Sequence, residues 1–123
     1  MRSALSAPVI AFESPAAWED WLAREHGSRD GVWVKIAKKA TGIPTVTYAE
    51  AVEVALCYGW IDGQRKTFDD QWFIQRFTPR RARSNWSKIN RDKVERLMAE
   101  GRMQPAGLDE VERAKADGRW DAA

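Results

Sequence analysis

The sequence contains few of the residue types that build metal and redox sites. Its 123 residues include one cysteine, Cys57, and one histidine, His26. A single cysteine excludes an internal disulfide, and without a Cys/His cluster we expect no metal site and no cofactor. A weaker hypothesis makes Cys57 a catalytic nucleophile with His26 as its base. Cys57 lies in a very apolar segment, where an inert buried thiol is expected.

Long apolar runs and nucleotide-binding loops are also missing. No stretch approaches the roughly 20 apolar residues of a membrane helix. Residues 1–10 lack the apolar stretch of a secretory signal. Neither GxxxxGK[ST] nor a GxGxxG after a strand occurs. We therefore expect a cytoplasmic protein without membrane insertion.

The composition is that of one globular domain over residues 1–123. Hydrophobic residues make up 44% of the chain and charged residues 31%, which argues against disorder. Seven tryptophans in so short a chain predict a core, or a pocket, built from large side chains. No repeat, low-complexity tract or linker divides the sequence.

Periodicity and capping signals predict an α+β domain. Ser14-Pro15 is typical of a helix start, and Thr47-Tyr48-Ala49-Glu50 matches a capping box. Strands and helices mix without repeated βαβ units, so we expect an antiparallel or mixed sheet of three to four strands with about four helices. The predicted order is (β)-α-β-α-β-β-α-α, over residues 9–12, 15–27, 32–38, 48–58, 60–67, 71–77, about 88–100 and 105–117.

The helix predicted over residues 48–58 carries only two charged residues, Glu50 and Glu53. A helix that is apolar nearly all round is buried on most sides. We expect this helix to be the most buried element of the domain. In the other helices the spacing places Trp18, Leu22, Met98 and Leu108 among the residues that face the core.

Positive charge is concentrated in one part of the chain. Residues 65–96 hold ten Lys and Arg against four Asp and Glu, whereas the rest holds ten against fourteen. This imbalance predicts one positive face for an anionic partner, although charge runs often only solvate a surface.

Within this region, residues 77–90 combine three arginines and a lysine with Trp86 and several hydroxyl and amide side chains. Guanidinium groups suit phosphate and carboxylate oxygens, so this segment is the predicted anion site. The candidate ligand-binding residues are Trp60, Asp62, Arg76, Arg80, Arg81, Arg83, Ser84, Trp86, Ser87, Lys88 and Asn90.

Several candidates also have structural interpretations. Asp62, within Gly59-Trp60-Ile61-Asp62-Gly63, is a weak candidate for an acid or base, and an ion pair with Arg76 is the simpler expectation. Arg80 and Arg81 are consecutive, so in an extended segment one turns inward to Asp62 or a helix carboxylate and the other faces solvent or ligand. Ser84 and Ser87 suit the role of a helix N-cap as well as they suit that of an anion ligand.

The chain resembles the YdeI/OmpD-associated family, also called bacteriocin-protection proteins. The resemblance covers most of the sequence and rests on ordered motifs: Trp18-x-x-Trp21-Leu22, Val32-Trp33-Val34-Lys35-Ile36-x-Lys38-Lys39, Thr47-Tyr48-x-Glu50-Ala51, Gly59-Trp60-Ile61-Asp62-Gly63, Phe77-Thr78-Pro79-Arg80-Arg81, Ser84-x-Trp86-Ser87-x-x-Asn90 and Gly101-Arg102-Met103. The resemblance implies an association with bacterial stress and with resistance to antimicrobial peptides and bacteriocins. It carries over no enzymatic reaction, cofactor or catalytic residue.

We expect a stress-associated protein that binds an anionic, phosphate-bearing ligand or partner. One alternative is an enzyme that acts on a phosphorylated or carboxylated metabolite, with Asp62 as acid or base. The others are a nucleic-acid-binding module, which requires a continuous basic strip with exposed aromatic rings, and a protein-interaction module.

Overall fold

A four-stranded sheet and four α-helices make up the fold, in a computed structural model that describes residues 7–123. This confirms the predicted α+β class and element order. In chain order the elements are β1 (Val9–Ala11), α1 (Pro15–Glu25), β2 (Val32–Ala37), α2 (Tyr48–Cys57), β3 (Trp60–Thr67), β4 (Trp72–Pro79), α3 (Lys88–Ala99) and α4 (Pro105–Ala116), and a 3-10 turn at Lys39–Thr41 follows β2.

The strands lie in the order β1-β2-β4-β3. β1 runs parallel to β2, and β4 is antiparallel to both β2 and β3. The pairing of β3 with β4 shifts between Asp62 and Arg65, so that Gly63 and Gln64 together oppose Arg76. This β-bulge sets the direction of the side chains that follow it in β3.

Local capping chemistry fixes the starts of three helices, as the sequence predicts. Ser14 accepts a hydrogen bond from the Ala17 amide at the start of α1. At the start of α2, Thr47 and Glu50 form the complete capping box. Ser87 is the N-cap of α3. Each bond satisfies an amide that the helix itself leaves without a partner.

The core lies between the helices and one face of the sheet. Trp18 and Leu22 are fully buried there, as predicted, and Trp18 stacks on Trp21 with ring centroids 5.7 Å apart. Two predicted core residues are exposed instead: Met98 at 38% and Leu108 at 38%. Helical spacing places both residues beside the buried face of their helix. Because α3 and α4 each pack mainly against α2, the edge of that face stays exposed to solvent.

Helix α2 is the most buried helix and packs against α1, β3, α3 and α4. The prediction that it is the most buried element of all is wrong, because β2 is buried at every position except Lys35. The second face of β2 is covered as well, where Trp33 packs with Ala7 and Ile74. β2 is therefore more than the half-buried strand that its alternating pattern predicts.

Helices α2 and α4 approach each other closely at Gly107. A Cβ atom there would lie 2.9 Å from the carbonyl oxygen of Leu56, closer than real Cβ contacts come. The Gln104 amide donates to the Cys57 carbonyl at 2.9 Å, which ties the start of α4 to the end of α2. In residues 7–123, no helix combines the length and apolar character needed to cross a membrane.

Candidate functional site

The basic residues of 65–96 do not share one face, so the prediction of a single positive face is wrong. Arg65 and Lys66 are consecutive in β3 and point to opposite sides of the sheet. Lys66 and Arg76 lie over Trp33 on the side away from the helices. Arg65 lies on the side of the sheet that α2 covers, over the Tyr48 ring.

Other basic residues of this region are paired on the surface. Arg96 contacts the carboxylates of Glu53 and Glu100, and Arg102, which lies beyond this region, also contacts Glu53. Lys88, a predicted ligand residue, pairs with Asp92 one turn along α3. Exposed pairs of this kind contribute little stability, but they remove these cations from the set that is free to bind an anion.

Arg80 turns inward and Arg81 outward, as the alternation predicts, but the predicted inward partner is wrong, because Arg80 packs on the Trp86 ring and not against Asp62 or a helix carboxylate. Arg80 is 7% exposed, and its guanidinium lies 3.7 Å from the centre of the Trp86 ring. Its Nη1 donates to the Ser84 hydroxyl at 3.0 Å and to the Asn85 carbonyl at 3.4 Å. Burial lowers the pKa of Arg80 to about 10, so the side chain still carries its charge at neutral pH.

A second arginine from the end of the chain joins this cluster, and the sequence reasoning missed it. Arg119 donates to the Ser84 carbonyl at 2.7 Å, while the neighbouring Trp120 packs edge-on against Trp86. Nitrogen atoms of Arg80, Trp86 and Arg119 lack hydrogen-bond partners in the described residues, and all of them are shielded from solvent. The predicted loop is thus packed into the fold at Arg80 and Trp86.

We predict different effects for the two adjacent arginines. Arg80→Ala should lower the free energy of unfolding by about 1–2 kcal/mol, because it removes a buried cation–ring contact and two hydrogen bonds. Arg81→Ala should change it by less than about 0.5 kcal/mol, since Arg81 is exposed. Urea unfolding of both variants measures this, and equal losses would contradict the inward and outward assignment.

The remaining predicted ligand residues lie in separate places. Trp60 is in the core, Ser87 caps α3, and Asn90 lies within the first turn of α3. Arg76 is on the outer side of the sheet. Arg83 is exposed in the loop, and Ser84 holds Arg80. The structure brings Arg80, Ser84 and Trp86 together but does not assemble the whole predicted set around one cavity.

Asp62 makes a different contact from the expected ion pair with Arg76. The Tyr48 hydroxyl donates to Oδ2 of Asp62 at 2.7 Å, and no ion pair of Asp62 occurs within residues 7–123. Arg76 points to the other face of the sheet, which is why the pair does not form. Partial burial and, as the second-largest cause, this hydrogen bond raise the pKa of Tyr48 to about 12.

A pocket of about 410 Å³ opens beside Tyr48, between β2, β4 and the segment that leads into α2. Its lining is Ile36, Ala37, Lys38, Lys39, Ile43, Pro44, Thr45, Thr47, Tyr48, Arg65 and Phe73. Most of this surface is apolar, three of the side chains are cationic and none is acidic. Such a pocket matches the size and composition of small-molecule sites.

Arg65 is held in a fixed position at this pocket. Its guanidinium lies over the Phe73 ring at 4.3 Å and the Tyr48 ring at 4.9 Å. Its Nε donates to the side-chain oxygen of Gln75 at 3.2 Å. Two rings and one hydrogen bond therefore orient the group, while Nη1 and Nη2 have no side-chain or backbone acceptor in the described residues.

The neutral polar side chains around the pocket are already engaged. Thr45 accepts from the Ala37 amide and donates to the Val46 carbonyl. Thr47 accepts from Glu50, and Tyr48 donates to Asp62. Among the described residues, the lining side chains with an unused donor are Arg65, Lys38, Lys39 and Thr47, whose hydroxyl accepts a hydrogen bond but donates none. Three of these four are cationic and all four offer donors, so the unsatisfied chemistry of the pocket is that of an anion receptor.

The pocket was missed at the sequence level, although its parts carried signals. Lys38-Lys39 and Thr47-Tyr48 both belong to the motifs that carry the family resemblance, and Gly42-Ile43-Pro44 indicates a turn between them. Gly42 has a φ of 69°, which lets the segment reverse toward the sheet. Nothing in the sequence alone places Arg65 opposite this segment, because the contact depends on the bulge in β3.

The described residues hold no group of three or more His, Cys, Asp and Glu side chains that could bind a metal ion. Burial raises the pKa of Cys57 to about 11, so its thiol stays protonated at neutral pH, in keeping with the predicted inert thiol.

A family model described as a domain of unknown function, DUF8412, matches residues 10–110, which span both the pocket and most of the core. No curated protein and no solved structure matches the chain. The matched region covers more than half of the sequence, and the chain belongs to the DUF8412 family.

Proposed function

We propose that this protein binds a small anionic ligand in the pocket lined by Lys38, Lys39 and Arg65. One observation carries the proposal: three cations and no acid line an apolar pocket whose neutral polar side chains are already hydrogen-bonded. An anionic ligand is also what the basic segment at residues 77–90 predicts, at a different place. The proposed location differs from the loop 80–90, where Arg80 and Trp86 are buried.

Charge and preorganisation both favour an anion here. A cation that is held in place before binding loses little conformational entropy when the ligand arrives. Arg65 is held in this way by Tyr48, Phe73 and Gln75. Lys38 and Lys39 are exposed at the mouth, where flexible ammonium groups attract an anion without fixing its orientation.

Binding has more support than catalysis. Asp62, the candidate acid or base, is not among the lining residues and accepts a hydrogen bond from the Tyr48 hydroxyl instead. With a pKa of about 12, the Tyr48 hydroxyl stays protonated at neutral pH and cannot serve as a base. These contacts support a positioning role, in which Asp62 holds Tyr48 and the Tyr48 ring lies against Arg65.

A nucleic-acid interface has less support, because basic residues on opposite faces of the sheet do not form a continuous strip. An association with bacterial stress stays part of the proposal through the resemblance to the YdeI/OmpD-associated family. It gives no information on the ligand.

The probe 8-anilinonaphthalene-1-sulfonate, a fluorescent organic anion, tests the proposal. We expect one saturable site in the wild type. Arg65→Ala should weaken binding about tenfold or more, because a charge-assisted hydrogen bond is lost. Lys66→Ala removes the same charge from the next residue on the opposite face, and it should leave the affinity unchanged.

Thermal unfolding of each variant provides the folding control, so that weaker binding is not confused with loss of structure. If the probe shows no saturable site, or if Arg65→Ala and Lys66→Ala weaken it equally, the pocket is not an anion site and the proposal falls.

A further inference from the structure

We infer that the ligand is a monocarboxylate with an apolar body, whose carboxylate pairs with Nη1 and Nη2 of Arg65. This rests on the proposed function and goes further by naming the chemical class. The two nitrogens form the end of a planar fork, and a planar carboxylate accepts from both. Contacts with Tyr48 and Phe73 and the bond to Gln75 hold that fork beside the pocket.

The supply of donors favours a carboxylate over phosphate. A phosphate group has three acceptor oxygens and is usually bound by converging donors that include hydroxyls and backbone amides. Here the O–H groups of Thr45 and Tyr48 donate elsewhere, which leaves Thr47 as the one lining hydroxyl of the described residues with an unused donor. Arg65 alone presents an oriented pair of donors, which matches the two oxygens of one carboxylate.

The apolar lining requires the rest of the ligand to be apolar. Ile36, Ile43, Pro44 and Phe73 line the pocket together with Ala37. An inorganic anion would leave this surface uncovered, whereas an alkyl or aryl group would remove it from water at about 25 cal/mol per Å². The volume of the pocket also favours a ligand with an apolar body, because about 410 Å³ is far more than a carboxylate group alone occupies.

A chain-length series tests this class directly. Butyrate, hexanoate and octanoate should displace the anilinonaphthalene probe with affinities that rise up to about fourfold for each added CH₂ group. Octan-1-ol, which has the same body without the charge, should compete at least tenfold more weakly than octanoate, by the loss of the charged bond to Arg65. Inorganic phosphate should compete weakly.

Two variants assign the two halves of the ligand. Arg65→Ala should weaken the binding of octanoate and of butyrate by the same factor, because it removes the carboxylate contact that both share. Ile43→Ala should weaken the binding of octanoate several-fold and that of butyrate little, so that affinity rises less steeply with chain length. Phe68→Ala, at an exposed ring in the turn between β3 and β4, is the control and should change neither affinity.

The outcomes separate this inference from the proposed function. If the probe binds in an Arg65-dependent way but phosphate competes as well as octanoate, the anion site stands and the carboxylate class is overturned. A flat chain-length series, or octan-1-ol equal to octanoate, overturns the class as well. If the probe binding does not depend on Arg65, both proposals fall together.

Discussion

Replacing Leu56 with alanine should lower the free energy of unfolding by about 2–5 kcal/mol. Leu56 is 2% exposed and lies on α2, the helix that packs against α1, β3, α3 and α4. The substitution removes three buried carbon atoms, a methine and two methyl groups, from a helix that packs against four other elements. Because the surrounding elements cannot all move inward, a cavity remains and adds to the lost burial energy.

Leu108→Ala is the matched control. It makes the same chemical change on α4 at a position that is 38% exposed, so we expect a loss below about 1 kcal/mol. Equilibrium urea unfolding, with both variants analysed at a common slope, gives the comparison. Similar losses for the two variants would show that α2 is not the helix around which the core is built.

The elements of this fold are largely readable from sequence because local chemistry determines them. Ser14 and Thr47 cap their helices through contacts within three residues. Glu50 returns the bond from the same turn. Such signals need no knowledge of the rest of the chain, and this is why the element order and most boundaries agree with prediction.

The identity of exposed and buried residues at the edge of a helical stripe is less readable. Met98 and Leu108 have the spacing of core residues but are exposed at the edge of the buried face, although the preceding residues Leu97 and Gly107 are buried. Periodicity gives the direction of a side chain from its helix. It does not give the extent of the surface that the helix covers.

The loop 80–90 shows why charge in sequence is a weak guide to a site. Arg80 is adjacent to Arg81 in sequence, yet it stacks on Trp86 inside the fold. The ring and the hydrogen bonds to Ser84 and Asn85 hold its guanidinium there although it is mostly buried. Arg119, which bonds the Ser84 carbonyl in the same cluster, comes from a distant part of the chain, which no local pattern can reveal.

The pocket was hidden for a related reason. Its cations come from the segment after β2 and from β3, and its aromatic rings from α2 and β4. These residues meet only when the sheet has formed in the register that the bulge at Gly63 and Gln64 imposes. A one-residue change in that register would move Arg65 to the opposite face of the sheet.

Gln75 is the residue that connects this register to the proposed site. It is 2% exposed, and its amide nitrogen donates to the carbonyl oxygens of Gly63 at 2.6 Å and Gln64 at 3.3 Å. Its amide oxygen accepts from Arg65. One buried side chain therefore holds both the bulge and the guanidinium that follows it.

We predict that Gln75→Leu has two effects that appear together. The free energy of unfolding should fall by about 1–3 kcal/mol, because Leu has a similar volume but leaves the bulge carbonyls without their donor. Affinity for the anilinonaphthalene probe should fall as well, because Arg65 loses one of the contacts that fix it and must be ordered on binding.

Gln71→Leu, at an exposed position in the turn before β4, should change neither quantity. Urea unfolding and a probe titration on the same samples measure both effects. A variant that loses stability but binds the probe at wild-type affinity would show that Gln75 supports the fold without positioning Arg65.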